Sequence, residues 1–304
     1  MIESRKQQFL AALIGNRDQT FDPVSGLLDP ESCGVRESLF YALLLLEQGE
    51  HSRLGRAEAI IRRLLEDNKP ACQDVWADFA LFWIWSRQRR RLGRSLLRKI
   101  PAELQKITAT LRLRETGGPL NRRLDPEKLL RQLLFLACAE TMDPAEKNGQ
   151  ATLPEFVAAT EFQPGDVPSL IVVSCMFDLV RNSGARQRAR RLARHCWSRL
   201  VDQIEARGQH AHAPDRSSPD GFSDTIALLL EKGSCGRMQT ARLPGNGASV
   251  PGEYLFALVG DIEAPPAIVG RLARIAETAH LHPGNTLTDF LLHSQPLPGP
   301  LASW

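Results

Sequence analysis

The stretch 22-DPVSGLLDPESCGVRESLFYALLLLEQGEHSRLGRAEAIIRRLLEDN-68 decides the fold. It divides into two helical segments with different faces. From Val35 to Leu46 the chain is apolar almost all round, with Val35, Leu39, Leu43 and Leu46 on one side and Phe40, Tyr41, Leu44 and Leu45 on the others. A helix of that composition needs protein on every side. Beyond Gly49 the pattern narrows to one stripe, Leu54, Ala57, Ile61, Leu64 and Leu65, while Arg53, Arg56, Glu58, Arg62, Arg63 and Glu66 cover the rest. Such a helix lies at the surface. A buried helix joined to a surface helix is one αα-hairpin, and the pair predicts a fold of two helix layers.

The same alternation recurs downstream. Residues 71–87 are apolar on most faces and hold three of the five tryptophans. Residues 101–114 form an amphipathic partner through Leu104, Ile107 and Leu111, with Pro101 placed as the first helical residue. Gly117-Gly118-Pro119 breaks the chain, and Asp125-Pro126 opens a third apolar helix. After a looser, Pro-containing stretch at 142–168, an apolar segment at 169–180 precedes an arginine-rich amphipathic one at 185–207. A polar loop at 208–221 leads to a fifth inner helix at 222–230. Residues 252–259 and 266–279 supply a closing helical pair, a short strand at 250–259 staying open beside it. The expected fold is all-α, with about five to six helical hairpins, which suits a closed ring or an open array. Its parts are a lead-in helix within 1–20, one helical domain over 21–281 and a Pro-rich tail over 282–304.

At 304 residues the chain has ample core, and its 43% hydrophobic and 24% charged content is that of a globular protein. No signal-peptide pattern opens the sequence, and its longest apolar runs are too short to span a bilayer. A cytoplasmic protein without membrane contact is expected. The six cysteines stand singly, which predicts buried, reduced thiols. GxSxG, Walker A, GxGxxG and HExxH motifs are absent, which removes the commonest hydrolase, NTPase, dinucleotide and zinc-protease readings.

Three stretches carry a resemblance: 25-SGLLDPESCGVRESLFYALLLLEQGE-50, 153-LPEFVAATEFQPGDV-167 and 210-HAHAPDRSSPDGFSD-224. Over roughly residues 20–235 the chain resembles the (α/α)6-toroid, or six-hairpin, proteins that include glycosidases and polysaccharide lyases. The match is one of pattern. Arg36, Glu155 and Arg216 fall on family-like positions, whereas Val157 to Glu161 and Asp220-Gly221-Phe222 depart from the family's tyrosine-containing runs. The resemblance implies an (α/α)-toroid whose central cavity takes a carbohydrate-like small molecule or oligosaccharide and cleaves it by hydrolysis or elimination, without a cofactor.

If the inner helices run the same way, their N-terminal ends form one rim, and polar residues gather there. Arg36, Glu37, Tyr41, Asp74, Asp78, Arg216, Asp220 and Asp224 are the candidate ligand-binding residues. Glu155 and Glu161 are the candidate catalytic carboxylates, with His212 as a base oriented by Asp215. The rival reading makes Glu37, Asp74 and Asp220 capping or first-turn acids, worth about 0.3–1 kcal/mol each. His210-x-His212 with Asp215 has the donors for a metal, but they share one loop without a second fixed element, so no tightly bound metal is expected.

The arginines at 87–98 and 181–199 read as solvated outer faces partly paired with acids. Because no aromatics are interleaved and the net charge is only +3, nucleic acid is the less favoured partner. Three functions stay open: a toroid enzyme, a non-catalytic toroid serving as binding or scaffold protein, and a nucleic-acid-binding helical array. Acids inside the cavity favour the first, a blocked or apolar interior the second, and a continuous basic surface the third.

Overall fold

In the computed structural model the described residues are 2–28, 34–66, 74–114, 126–142, 167–208, 255–260, 262 and 264–278. Most of them are helical. Helix α1 (Ile2–Asp18) buries Phe9, Leu10, Leu13 and Ile14 as a single stripe. Then comes the hairpin that the opening stretch predicts. In α2 (Gly34–Gln48) every residue from Ser38 to Leu46 is buried, whereas α3 (His51–Glu66) buries only Ala57, Ile60 and Ile61. Gly49, at φ +75°, ends α2 in the left-handed conformation that suits glycine. A Cβ there would also meet the Arg91 guanidinium at 3.0 Å.

The second hairpin repeats this logic. Helix α4 (Val75–Gln88) is buried continuously from Val75 to Ile84, and a short 3-10 turn (Arg89–Arg91) leads to α5 (Arg94–Arg114). Here the structure corrects the sequence reading, since Pro101 lies inside α5 rather than at its start. The reason is the apolar stripe. It begins at Leu92 and continues through Leu96, Ile100, Leu104, Ile107 and Leu111, all buried, so packing carries the helix across a residue that removes one backbone hydrogen bond.

Helix α6 (Pro126–Met142) opens on its proline, as the Asp-Pro signal predicts. Helix α7 (Val167–Leu179) is buried throughout 169–176, and α8 (Ser183–Gly208) buries one stripe, Ala185, Ala189, Leu192, Ala193, Cys196, Trp197 and Leu200. Two short elements follow, α9 (Leu255–Val259) and α10 (Pro266–Thr278). Residues 255–259 are thus helical rather than a strand. The sequence patterns did not anticipate a two-residue antiparallel ladder, Phe21–Asp22 against Leu27–Leu28. Asp22 closes its turn by accepting from the backbone of Val24 (2.8 Å) and Ser25 (3.0 Å).

Neighbouring helices pack as α2 on α4, α4 on α6 and α6 on α7, while α3 and α5 pack together outside them and α8 covers α7. Helix α9 packs on α7 while its Phe256 reaches α2 and α4. Helix α9 thus links α7 to the α2–α4 pair. Phe256 lies 4.6 Å from Phe79, 5.6 Å from Trp83, 5.8 Å from Phe40 and 6.1 Å from Trp76, ring centre to ring centre. Gly260 makes the insertion possible, because a Cβ there would lie 2.7 Å from the Phe256 carbonyl oxygen.

Candidate functional site

The rim that the sequence predicts depends on α2 and α4 running parallel. Contacts at both ends show that they do. At the N-terminal ends, Arg36 Nε lies 3.5 Å from Asp74 Oδ2. At the C-terminal ends, Gln88 Nε2 donates to Glu47 Oε1 at 2.6 Å, and Arg91 Nη1 donates to the Leu46 carbonyl. Two helix N-termini thus share one edge, and both dipoles direct positive potential there.

Asp74 serves two purposes at this edge. One oxygen, Oδ1, accepts from the backbone of Trp76 (2.9 Å) and Ala77 (3.3 Å), which makes it the N-cap of α4. The other oxygen faces Arg36. Glu37 is held from α1 by Arg17 Nη2 at 3.1 Å and lies 3.8 Å from Arg36 Nε. The structure therefore brings Arg36, Glu37 and Asp74 together and adds Arg17, which sequence patterning left out because it belongs to a different helix. The Arg36 side chain is 38% exposed. Beneath this edge the interior is apolar, with Trp76 and Phe40 against Phe256.

Tyr41 joins a different cluster. Its hydroxyl donates to Asp18 Oδ1 and accepts from Arg56 Nη1 at 2.9 Å, and Arg56 also contacts Asp18 at 2.7 Å. The Arg56 guanidinium lies 4.9 Å above the Phe21 ring. Burial raises the Tyr41 hydroxyl above the ordinary tyrosine pKa, and the bond to Asp18 pushes in the same direction. The cluster fastens the end of α1 and the small hairpin to α2 and α3. Asp78, one turn into α4, is buried at 7% exposure. Its charge is felt at Cys138 of α6, whose thiol is pushed up to about 12, mainly by desolvation and to a smaller degree by Asp78. Cys138, Cys175 and Cys196 are all buried, as expected for these thiols.

Glu155, Glu161, His212, Asp215, Arg216, Asp220 and Asp224 lie outside the described residues, as do the His210 loop and the metal question attached to it. Among the described residues no group of three His, Cys, Asp or Glu side chains is arranged to hold a metal ion, and no helix is long and apolar enough to cross a membrane. No family model, curated protein or solved structure matches the chain.

Proposed function

We propose that the chain is an (α/α)-toroid that binds a carbohydrate-like ligand at the rim made by the N-terminal ends of its inner helices. Ring closure is supported by Phe256, near the far end of the chain, packing on Phe40 and Trp76 of the first two inner helices. The observation that carries the ligand reading is the cluster of Arg36, Glu37, Asp74 and Arg17 at the shared edge of α2 and α4. A guanidinium fork offers two parallel donors to a carboxylate or phosphate, and acids beside it accept from sugar hydroxyls. An acidic sugar or sugar phosphate, met in the cytoplasm as an oligosaccharide or intermediate, is the ligand class this chemistry fits. In the enzymatic form of the proposal, Glu155 or Glu161 supplies the carboxylate for cleavage, with Arg216 as a second anchor.

A specific observation favours the second reading, a toroid that binds without cleaving. Phe40, Trp76, Phe79, Trp83 and Phe256 fill the space between α2, α4 and α9, each at 3% exposure or less. At that depth the interior is aromatic rather than acidic. A thermal-shift screen with glucuronic acid, glucose 6-phosphate, an oligogalacturonide and a neutral maltooligosaccharide tests ligand binding. Stabilisation by the acidic sugars alone is the expected result, and stabilisation by none of the four contradicts it. Assaying any binder for new reducing ends or for unsaturated product then separates cleavage from binding.

A further inference from the structure

The two arginine-rich segments are far apart in sequence, but an ion pair joins them. Arg87 Nη2 of α4 lies 3.4 Å from Asp178 Oδ2 of α7. Arg89 and Arg90 lie two and three residues beyond Arg87, and Arg94 opens α5. On the other side Arg181 follows Asp178 by three residues, and Arg186 stands in the first turn of α8. The second corner is itself pinned, because Glu140 of α6 accepts from the backbone of Arg181 and, at 2.9 Å, of Asn182. The α4–α5 and α7–α8 corners are therefore held side by side.

The arginines are only partly paired, as the sequence reading has it. Arg87 has Asp178, and Arg91 has the Leu46 carbonyl. Arg89, Arg90, Arg94, Arg181 and Arg186 are exposed and make no ion pair with a described residue. The acids of these corners are otherwise engaged: Glu47 with Gln88, Glu58 with the Gly93 backbone, Glu140 with the Arg181 and Asn182 backbone. Along α8, Arg186, Arg190 and Arg194 recur every four residues, about 6 Å per step, all exposed.

We propose that this joined corner is a docking surface for the phosphate backbone of a nucleic-acid duplex. Two observations and one general requirement select that partner. The cations from Arg87 to Arg98 and from Arg181 to Arg199 are all arginine, with no lysine among them, and arginine's fork matches phosphate oxygens bidentately. The only large hydrophobic residues exposed among those described are Val24 and Leu97, so the described surface offers no aromatic platform for unpaired bases and no apolar wedge for a lipid surface. Backbone contact without base readout needs only such a cationic surface on a rigid element.

The surface is distinct from the Arg36 rim, so either proposal can fail without the other. The test is fluorescence anisotropy of a labelled mixed-sequence 24-base-pair DNA duplex with the full chain, from 20 to 200 mM salt. Binding that weakens linearly in log–log form is expected. Arg90→Gln/Arg94→Gln/Arg186→Gln should reduce that slope by up to about 3 and affinity at low salt at least about tenfold. The control Arg62→Gln/Lys106→Gln/Arg131→Gln removes the same charge elsewhere and should bind like the parent. Circular dichroism confirms that both variants are folded. No binding at 20 mM salt, equal loss in the two triple variants, or binding to phosphatidylserine vesicles but not to the duplex would each overturn the proposal.

Discussion

Tyr41 shows how one side chain can look like a site residue and serve as a fastener. Its ring is buried in α2, and its hydroxyl is shared between Asp18 and Arg56. Removing the hydroxyl in Tyr41→Phe leaves the Asp18–Arg56 contact in place but removes the hydroxyl's two hydrogen bonds to charged partners, an expected loss of about 1.5–3 kcal/mol. A shifted urea midpoint checks this, and an unchanged midpoint removes the fastening role. The pH dependence has a definite sign. Because the folded Tyr41 pKa is raised, its contribution is complete below the unfolded value near 10 and is lost as pH rises beyond it. Asp22 works the other way. The Val24 and Ser25 backbone bonds lower its pKa, so its hold on the 21–28 turn is present above the unfolded carboxylate value and fades as pH falls below it. Cys138, with its thiol pushed up to about 12, should resist iodoacetamide at pH 8 in the native protein and react once the chain is unfolded in urea. Rapid native labelling at Cys138 would contradict its burial. None of these partnerships was legible in the sequence. Tyr41 lies 23 residues from Asp18 and 15 from Arg56, and apolar patterning says which face is buried, not which polar tip meets which.

Helix identities were largely legible, because each depends on a local pattern. The all-apolar stretch became α2, the one-stripe stretch became α3, and the Asp-Pro signal opened α6. Errors arose where a local signal competed with packing. Pro101 has the marks of a first residue, but a buried stripe starting at Leu92 carries α5 past it. The 21–28 ladder is too short to show a period. Its registration depends on Asp22 and on Gly26 at φ +70°. Two substitutions test the inner-layer assignments. Leu43→Ala should cost about 2–5 kcal/mol by leaving a cavity in α2, and a parent-like melting point would mean that the site collapses or is not inner. Phe256→Ala should cost about 3–5 kcal/mol, although it lies in a five-residue helix, because its ring touches four aromatics on two other helices. A loss below about 1 kcal/mol would mean that α9 is an ornament to the core instead of its centre.

The whole molecule is organised by contacts that no local pattern announces. Phe256 meets Phe40 across more than 200 positions of sequence, and Arg87 meets Asp178 across about 90. The first ties α9 to the buried helices α2 and α4, and the second joins two arginine corners. The rim was legible to the extent that helix direction was, since Arg36, Glu37 and Asp74 all precede or open inner helices and α2 and α4 prove parallel. The proposal that this edge holds a ligand turns on its chemistry. The most direct measurement is calorimetric titration of an oligogalacturonide into the parent and into Arg36→Lys, with the melting temperature of each recorded. Lysine keeps the charge but not the two parallel donors, so a ligand-binding Arg36 predicts an unchanged melting temperature with affinity lowered at least about tenfold, roughly 1.4 kcal/mol. A parent that does not bind, an Arg36→Lys variant that binds as tightly as the parent, or one that loses binding only because it melts earlier would contradict the rim as the ligand site.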